Sequence, residues 1–533
     1  MDDLAAHWLL PGIAERVASF MDHNEVVLNF SRVDGATWTL RSRGYQALRL
    51  SQPVPPHVFS AHWLAPGATR CLTLARRRQL MSLTAASGVV ANLDVAHQAA
   101  GCLLTYKVFE AAAAAGKLAS CQWLLEHGCP TFDPRCMQGS NLLSAAASGG
   151  HRHVCEWLLG LDPRFNLNWT ADGAAAAAHR GHVAVMDWLL WRRIPVRQTR
   201  SDHNAYHAGA LLFGAAIGCD LPTLQRLWPG RSGRGGIMAQ AKRSALLEAA
   251  AGSPTPDWQA KVEWLEAQGC TPADCVKAAA CPDAPARLAW LRGRGYRLDR
   301  FAVSGAAGAA NMPALQYLLD EVGVSPEAVL QGALMAATCG HLAVLQALHA
   351  AGAQLGRLAL DVGVAAAKGG HLQVLAWLVE TLGRNVVLLD ARLFSAAAES
   401  GSVQMLAWLR ERGCAWHQHF LGDPYTGAAE SGCEEALEWL AGRGCPMPNT
   451  GEPYVKACGN RDVATLRCLG RLGVPWGRPG YILCRAVLGY APPPLLRWLS
   501  SQGGPADVVA ARSVLRADGS WAARVALSRL EQL

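Results

Sequence analysis

Stripped to apolar and polar positions, the chain repeats one phrase. Ala336 and Ala337 lead through Thr338 and Cys339 to Gly340, and Leu342, Val344, Leu345 and Leu348 follow as an aliphatic stripe. The phrase returns over 365–378, 396–409 and 428–440. Its pivots Gly340, Gly370, Gly401 and Gly432 are answered seven residues later by Ala347, Trp377, Trp408 and Trp439. Alanine is a strong helix former with little bulk, so the run before each glycine predicts a helix that neighbours can approach closely. Glycine tolerates the left-handed backbone that ends such a helix. The three-, four- and six-residue spacing of the stripe predicts a second, amphipathic helix. A further glycine 12 residues after the pivot, as at Gly128, Gly352, Gly413 and Gly444, predicts its end.

The pivots Gly88, Gly116, Gly150 and Gly181 add Val95, Trp123, Trp157 and Trp188 to the slot. Looser copies place Leu227, Trp264, Trp290, Tyr317, Cys468 and Trp498 there, so about 14 units fill residues 80–504. Nine of the 19 tryptophans share this slot, which chance would not arrange; their spacing from Leu reads as core between units. A helix pair cannot bury both faces alone, so the expected fold is all-α, a solenoid of stacked pairs. The copies around 205–325 are loosest, where a stack could bend or break. Pro505 should end the array, leaving 505–533 as capping helices.

The stretch Ala365-Ala366-Ala367-Lys368-Gly369-Gly370-His371-Leu372-Gln373-Val374-Leu375 resembles the ankyrin repeat, and Gly-His recurs at 150–151, 181–182 and 340–341. The Thr-Pro-Leu-His opening is missing and the period is two or three residues short, which bears on the β-turn fingers, not the helix pair. Tryptophan in the second helix, with Gly-Cys-Pro at 128–130 and 444–446, resembles the ankyrin variety of protists and green algae. Tetratricopeptide-type repeats compete in architecture but lack a glycine between the helices followed by His and the aliphatic stripe. The resemblance implies a protein-binding scaffold, with a client on the solenoid surface.

Residues 1–45 do not follow the repeat. Leu10-Pro11 opens a helical pattern with Ile13, Val17, Phe20 and Met21 on one face, a polar turn at 22–25, then Val26, Val27, Phe30 and Val33, and finally Trp38. This resembles the F-box, a helical module that docks on the Skp-type adaptor of cullin-RING ubiquitin ligases. The resemblance implies an adaptor face of Leu10, Pro11, Ile13, Val17, Phe20 and Val33. Ile13 replaces the usual acidic residue, and Trp38 lies farther from Val33 than is common. The other reading is a structural cap over the first repeat. Residues 46–79 read as a connector and entry helix; with Pro53, Pro55, Pro56 and Pro66, Leu50 to Pro66 reads as stiff and non-helical.

Composition narrows the function. The chain is 51% hydrophobic, only 7% aromatic and 17% charged, with net charge +8 over 533 residues, which excludes a disordered chain. Basic residues are scattered, with no concentrated patch for nucleic acid. Arg76-Arg77-Arg78 reads as a solvated helix face rather than a nuclear address. The uncharged stretch Ala328–Gly356 is not a membrane span: Gln331, His341, Gln346, His349 and Gln354 and three glycines interrupt it, in register with the repeat. The N-terminus lacks a signal peptide's basic and apolar regions, so the expectation is a cytoplasmic or nuclear protein, its 17 cysteines reduced.

Phosphate loops, zinc-binding His-Glu-x-x-His and Gly-x-Ser-x-Gly elbows are missing, so neither enzyme activity nor a cofactor is expected. Cys414, His417 and His419 are the nearest approach to a metal set, but lack a second ligand pair. His151, His182, His341 and His371 read as structural, bonding at the helix turn. Trp416 and Trp476 follow the terminal glycine into the loop and are candidate client anchors, packing on the next unit being their other reading.

Overall fold

A computed structural model describes residues 16–29, 47–132, 141–161, 166–192, 201–228, 240–271, 276–322, 325–383, 386–416 and 423–531. Among these the regular structure is all helical, with no strand. Two compact units are present: Met1–Thr69 with Arg76–Ala100 and Leu104–Gly173, and Arg70–Ala75 with Gly101–Leu103 and Ala174–Leu533.

Both units are built from helix pairs whose turns follow the glycine register. Pro326–Cys339 is followed by Leu342–Ala350, Ala391–Ser400 by Val403–Glu411, and Pro424–Ser431 by Glu434–Gly442. At the pivot between Pro326–Cys339 and Leu342–Ala350, Gly340 has φ +79°. Its N–H bonds the Ala337 carbonyl and the N–H of His341 bonds that of Ala336, closing the helix with two reversed bonds. Gly370 with His371 closes on Ala367 and Ala366 in the same way. All eight pivots read from the sequence have positive φ, from Gly88 to Gly432. The stretch Ala328–Gly356, rejected as a membrane span, is two helices broken at Gly340. No helix among the described residues is long and apolar enough to cross a membrane.

The alanine pair before most pivots is wholly buried, as at Ala336–Ala337, Ala366–Ala367 and Ala428–Ala429. There the first helices of successive pairs meet, and polar side chains lock the junctions. His371 donates from Nε2 to the Thr338 carbonyl 3.1 Å away, and His341 reaches Gly308 at 3.2 Å. The His341 and His371 side chains thus bond the preceding pair rather than their own turn, and after Gly150 it is His153 that reaches the Gly116 carbonyl. The loose copies use other chemistry for the same task. Lys261, fully buried, donates to the carbonyls of Ala216 and Cys219 and to Ser253 Oγ. Arg287 bonds the carbonyls of Ala251 and Ser253, and Asn311 those of Ala279 and Cys281. Among the described residues of 205–325, such junctions link each pair to the one before it.

Several sequence expectations need correction. Pro56–Trp63 is a helix, with Phe59 buried, where a non-helical connector was expected; Pro56 sits in its first turn, where a missing N–H costs nothing. Arg77 is buried and donates to the Ala100 carbonyl at 2.7 Å, so the arginine triplet is not a uniformly solvated face. One helix, Pro493–Asp518, continues past the point where the array was expected to end. A last helix, Trp521–Glu531, buries Ala523, Ala526 and Leu530. Of the expected polar turn at 22–25, Asp22 caps the helix His23–Leu28 and the rest lies within it.

Candidate functional site

The tryptophan row is the main departure from the expected core. Leu124, Leu189, Leu409 and Leu440, each one residue after a slot tryptophan, are wholly buried, whereas Trp157, Trp188, Trp290, Trp377, Trp408 and Trp439 are half-buried. The residue four positions on lies over the ring in several units: Arg192 is 5.0 Å from the Trp188 centroid, Arg294 4.8 Å from Trp290, and Arg412 3.9 Å from Trp408. In Leu118–Glu126 and the turn after it, His127 stacks on Trp123 at 3.8 Å. Positions i and i+4 share a helix face, so Trp188, Trp290 and Trp408 lie on the flank with a guanidinium over each, while Trp123, under His127, is buried.

At one junction these groups open into a cleft of about 300 Å³, lined by Ala407, Arg410, Glu411, Trp416, Trp439 and Arg443. Val403–Glu411 supplies one wall and Glu434–Gly442, with Arg443 after it, the other. Trp416 comes from the loop after Gly413, whose φ of +78° turns the chain out of the helix. That turn buries Cys414, whose thiol donates to the Asp390 carbonyl at 3.2 Å. Burial pushes this thiol up to about 12, which makes it a poor metal ligand, and His417 and His419 lie outside the described residues.

Trp416 meets Phe394 edge-on at 5.3 Å and Trp439 at 6.1 Å. The Arg410 guanidinium lies 3.9 Å from the Trp416 centroid and donates to the Cys414 carbonyl; Arg443 lies 5.7 Å from Trp439. The cleft therefore pairs aromatic surface with fixed positive charge.

Trp476 occupies the equivalent loop two units on. Its ring packs on Tyr454 at 4.7 Å, and its indole N–H is buried without an acceptor among the described residues. The structure thus brings Trp416 into a cleft and tucks Trp476 against its own unit.

Of the adaptor-face residues, Leu10, Pro11, Ile13 and Val33 lie outside the described residues. Val17 is 39% and Phe20 83% exposed, while Ala18 and Val26 pack together with Met21 against them. Asn24 ties this segment to residues 49–53, donating to the carbonyls of Arg49 and Pro53 and accepting from the Arg49 N–H at 2.7 Å.

Glu434, Glu438 and Cys468 bring their donor atoms within 4.8 Å of one another. Arg471 already bridges both carboxylates, at 3.3 and 2.8 Å, Arg70 pairs with Glu438, and burial pushes the Cys468 thiol up to about 12. The cluster works as an ion-pair network.

Trp439 was read only as core, and Arg410 and Arg443 carried no expectation, because the cleft forms only when units 30 residues apart pack. The i to i+4 pairing of Trp with Arg is the signal that could have found it. Comparison with protein-family models and with curated proteins finds no match to this chain.

Proposed function

We propose that the chain is a non-catalytic protein-binding scaffold, an ankyrin-type solenoid whose client docks at the Trp416–Trp439 cleft. The observation that carries this reading is a half-buried tryptophan pair held between two helix pairs, since interface energy concentrates in aromatic and arginine anchors set in pockets. Support for the ankyrin type comes from the regular pair, its left-handed glycine pivots and the Gly-His junction. We further propose that residues 1–45 act as an F-box-like module docking a Skp-type adaptor. The scaffold would then work by proximity, raising the local concentration of the client's acceptor lysines near a ligase. The exposure of Val17 and Phe20 supports this module. The anchoring of Asn24 to 49–53 favours a second reading, a plain scaffold whose N-terminal segment is a cap.

The test is co-purification of the full chain with a Skp-type adaptor, beside Val17→Asp and Phe20→Asp. The adaptor reading expects binding by the parent and loss in both variants at unchanged helicity. A well-folded parent that binds no adaptor leaves the plain scaffold.

A further inference from the structure

The Trp416–Trp439 cleft also specifies the chemistry of its occupant. Elsewhere in the same unit, several arginines beside the slot are neutralised by neighbours: Arg226 pairs with Asp187 at 3.0 Å, Arg294 with Glu266, and Arg471 with Glu434 and Glu438, although Arg192 over Trp188 has no carboxylate partner among the described residues. Around the cleft no arginine is neutralised. Arg410, Arg412 and Arg443 have no carboxylate partner among the described residues; Arg410 and Arg412 donate only to the carbonyls of Cys414 and Trp408. The one acidic side chain in the lining, Glu411, is exposed and pairs with none of them. Two unpaired guanidinium groups against one carboxylate in the lining, with Arg412 beside it over Trp408, leave this surface positive. Arg443 is exposed, and its planar fork of donors is suited to a carboxylate.

We propose that the cleft binds an acidic peptide segment of a partner protein: an apolar side chain lies against Trp416 and Trp439, and a flanking carboxylate is held by Arg443 and Arg410. Charge complementarity in a pocket with an aromatic floor selects such a segment. A volume of about 300 Å³ is at the small end of ligand pockets, suited to one anchor side chain with its neighbours. This inference rests on the scaffold reading and adds the class of client sequence.

The probe is a labelled octapeptide alternating glutamate and leucine, followed by fluorescence anisotropy on the full chain, with its glutamine counterpart and a single-stranded RNA 20-mer alongside. Expected are saturable binding of the glutamate peptide, weakening with added salt, and at least about tenfold weaker binding of the glutamine peptide. Arg443→Gln should lose about tenfold, and Ala407→Gln, which fills the cleft while keeping every cation, should lose a similar factor. Arg443 is exposed, so its variant should keep the parent's melting temperature. Equal binding by the parent, Arg443→Gln and Ala407→Gln would overturn the proposal, as would tighter binding of the RNA or no binding of the glutamate peptide by folded protein. A client protein captured equally by parent and Ala407→Gln would sink the cleft while leaving the scaffold reading intact.

Discussion

Gly340 carries two demands that a single residue type can meet. Its φ is +79°, and a Cβ there would lie 2.4 Å from His371 Nδ1, the ring that bonds Thr338 across the junction. Gly352, at φ +88°, has nothing within 4 Å of the same position. Gly352→Ala should therefore cost only the left-handed backbone, about 1–2 kcal/mol, and Gly340→Ala clearly more, by displacing the imidazole. Urea midpoints read by circular dichroism would compare the two; equal shifts would remove the His371 contact from the account. The degenerate copies offer the converse. Ala310 and Arg461 hold positive φ, +52° and +57°, seven residues before Tyr317 and Cys468, where a pivot glycine belongs. Ala310→Gly should stabilise the chain by up to about 1 kcal/mol, the relief of strain partly offset by the freer unfolded chain. A loss of stability would contradict the strain assigned there.

Helix pairs show how far the sequence could be read. The eight glycine pivots and the Gly128, Gly352, Gly413 and Gly444 stops were legible because a left-handed ending leaves its mark on one residue type. The helix Pro56–Trp63 was not, because proline in a first turn looks the same as proline in a connector. The slot tryptophans other than Trp123 are half-buried rather than fully core, because seven residues after a pivot is one short of the leucine that enters it. Junction chemistry in the loose copies was hidden too, since nothing in the sequence sets Lys261 against carbonyls 42 and 45 residues earlier. Lys261→Met should cost about 2–4 kcal/mol by leaving those buried acceptors unpaired, and near-parental stability would mean that the carbonyls find other donors. The buried thiols set a response to pH. Burial raises Cys121, Cys129, Cys155, Cys414, Cys445, Cys458 and Cys468 from about 9 to about 12. The unfolded chain releases these protons near pH 9 and the folded chain does not, so their contribution is complete below 9 and falls as pH rises toward 12. Lys261, lowered to about 8 by burial, acts in the opposite sense between about 8 and 10.5, and seven thiols outweigh one amine. Urea midpoints at pH 8, 9.5 and 10.5 should fall in that order; a flat series would contradict the burial of the thiols.

Across the molecule, helix pairs repeat while their flanks vary, so function is sought where the flanks differ from one another. One cleft gathers two tryptophans and unpaired arginines, and the N-terminal segment offers Phe20 to solvent. The candidate site was legible only in Trp416, since Trp439 and Arg443 belong to the next pair and only packing selects them. The most direct measurement of the central claim immobilises the purified full chain, and separately its Ala407→Gln, Arg443→Gln double variant, and identifies proteins retained from a lysate by mass spectrometry at two salt concentrations. The expected result is a client retained in near-stoichiometric amount by the parent, bearing an acidic apolar segment, and lost from the double variant while melting temperature holds. The same proteins retained by both chains in equal amount would contradict it.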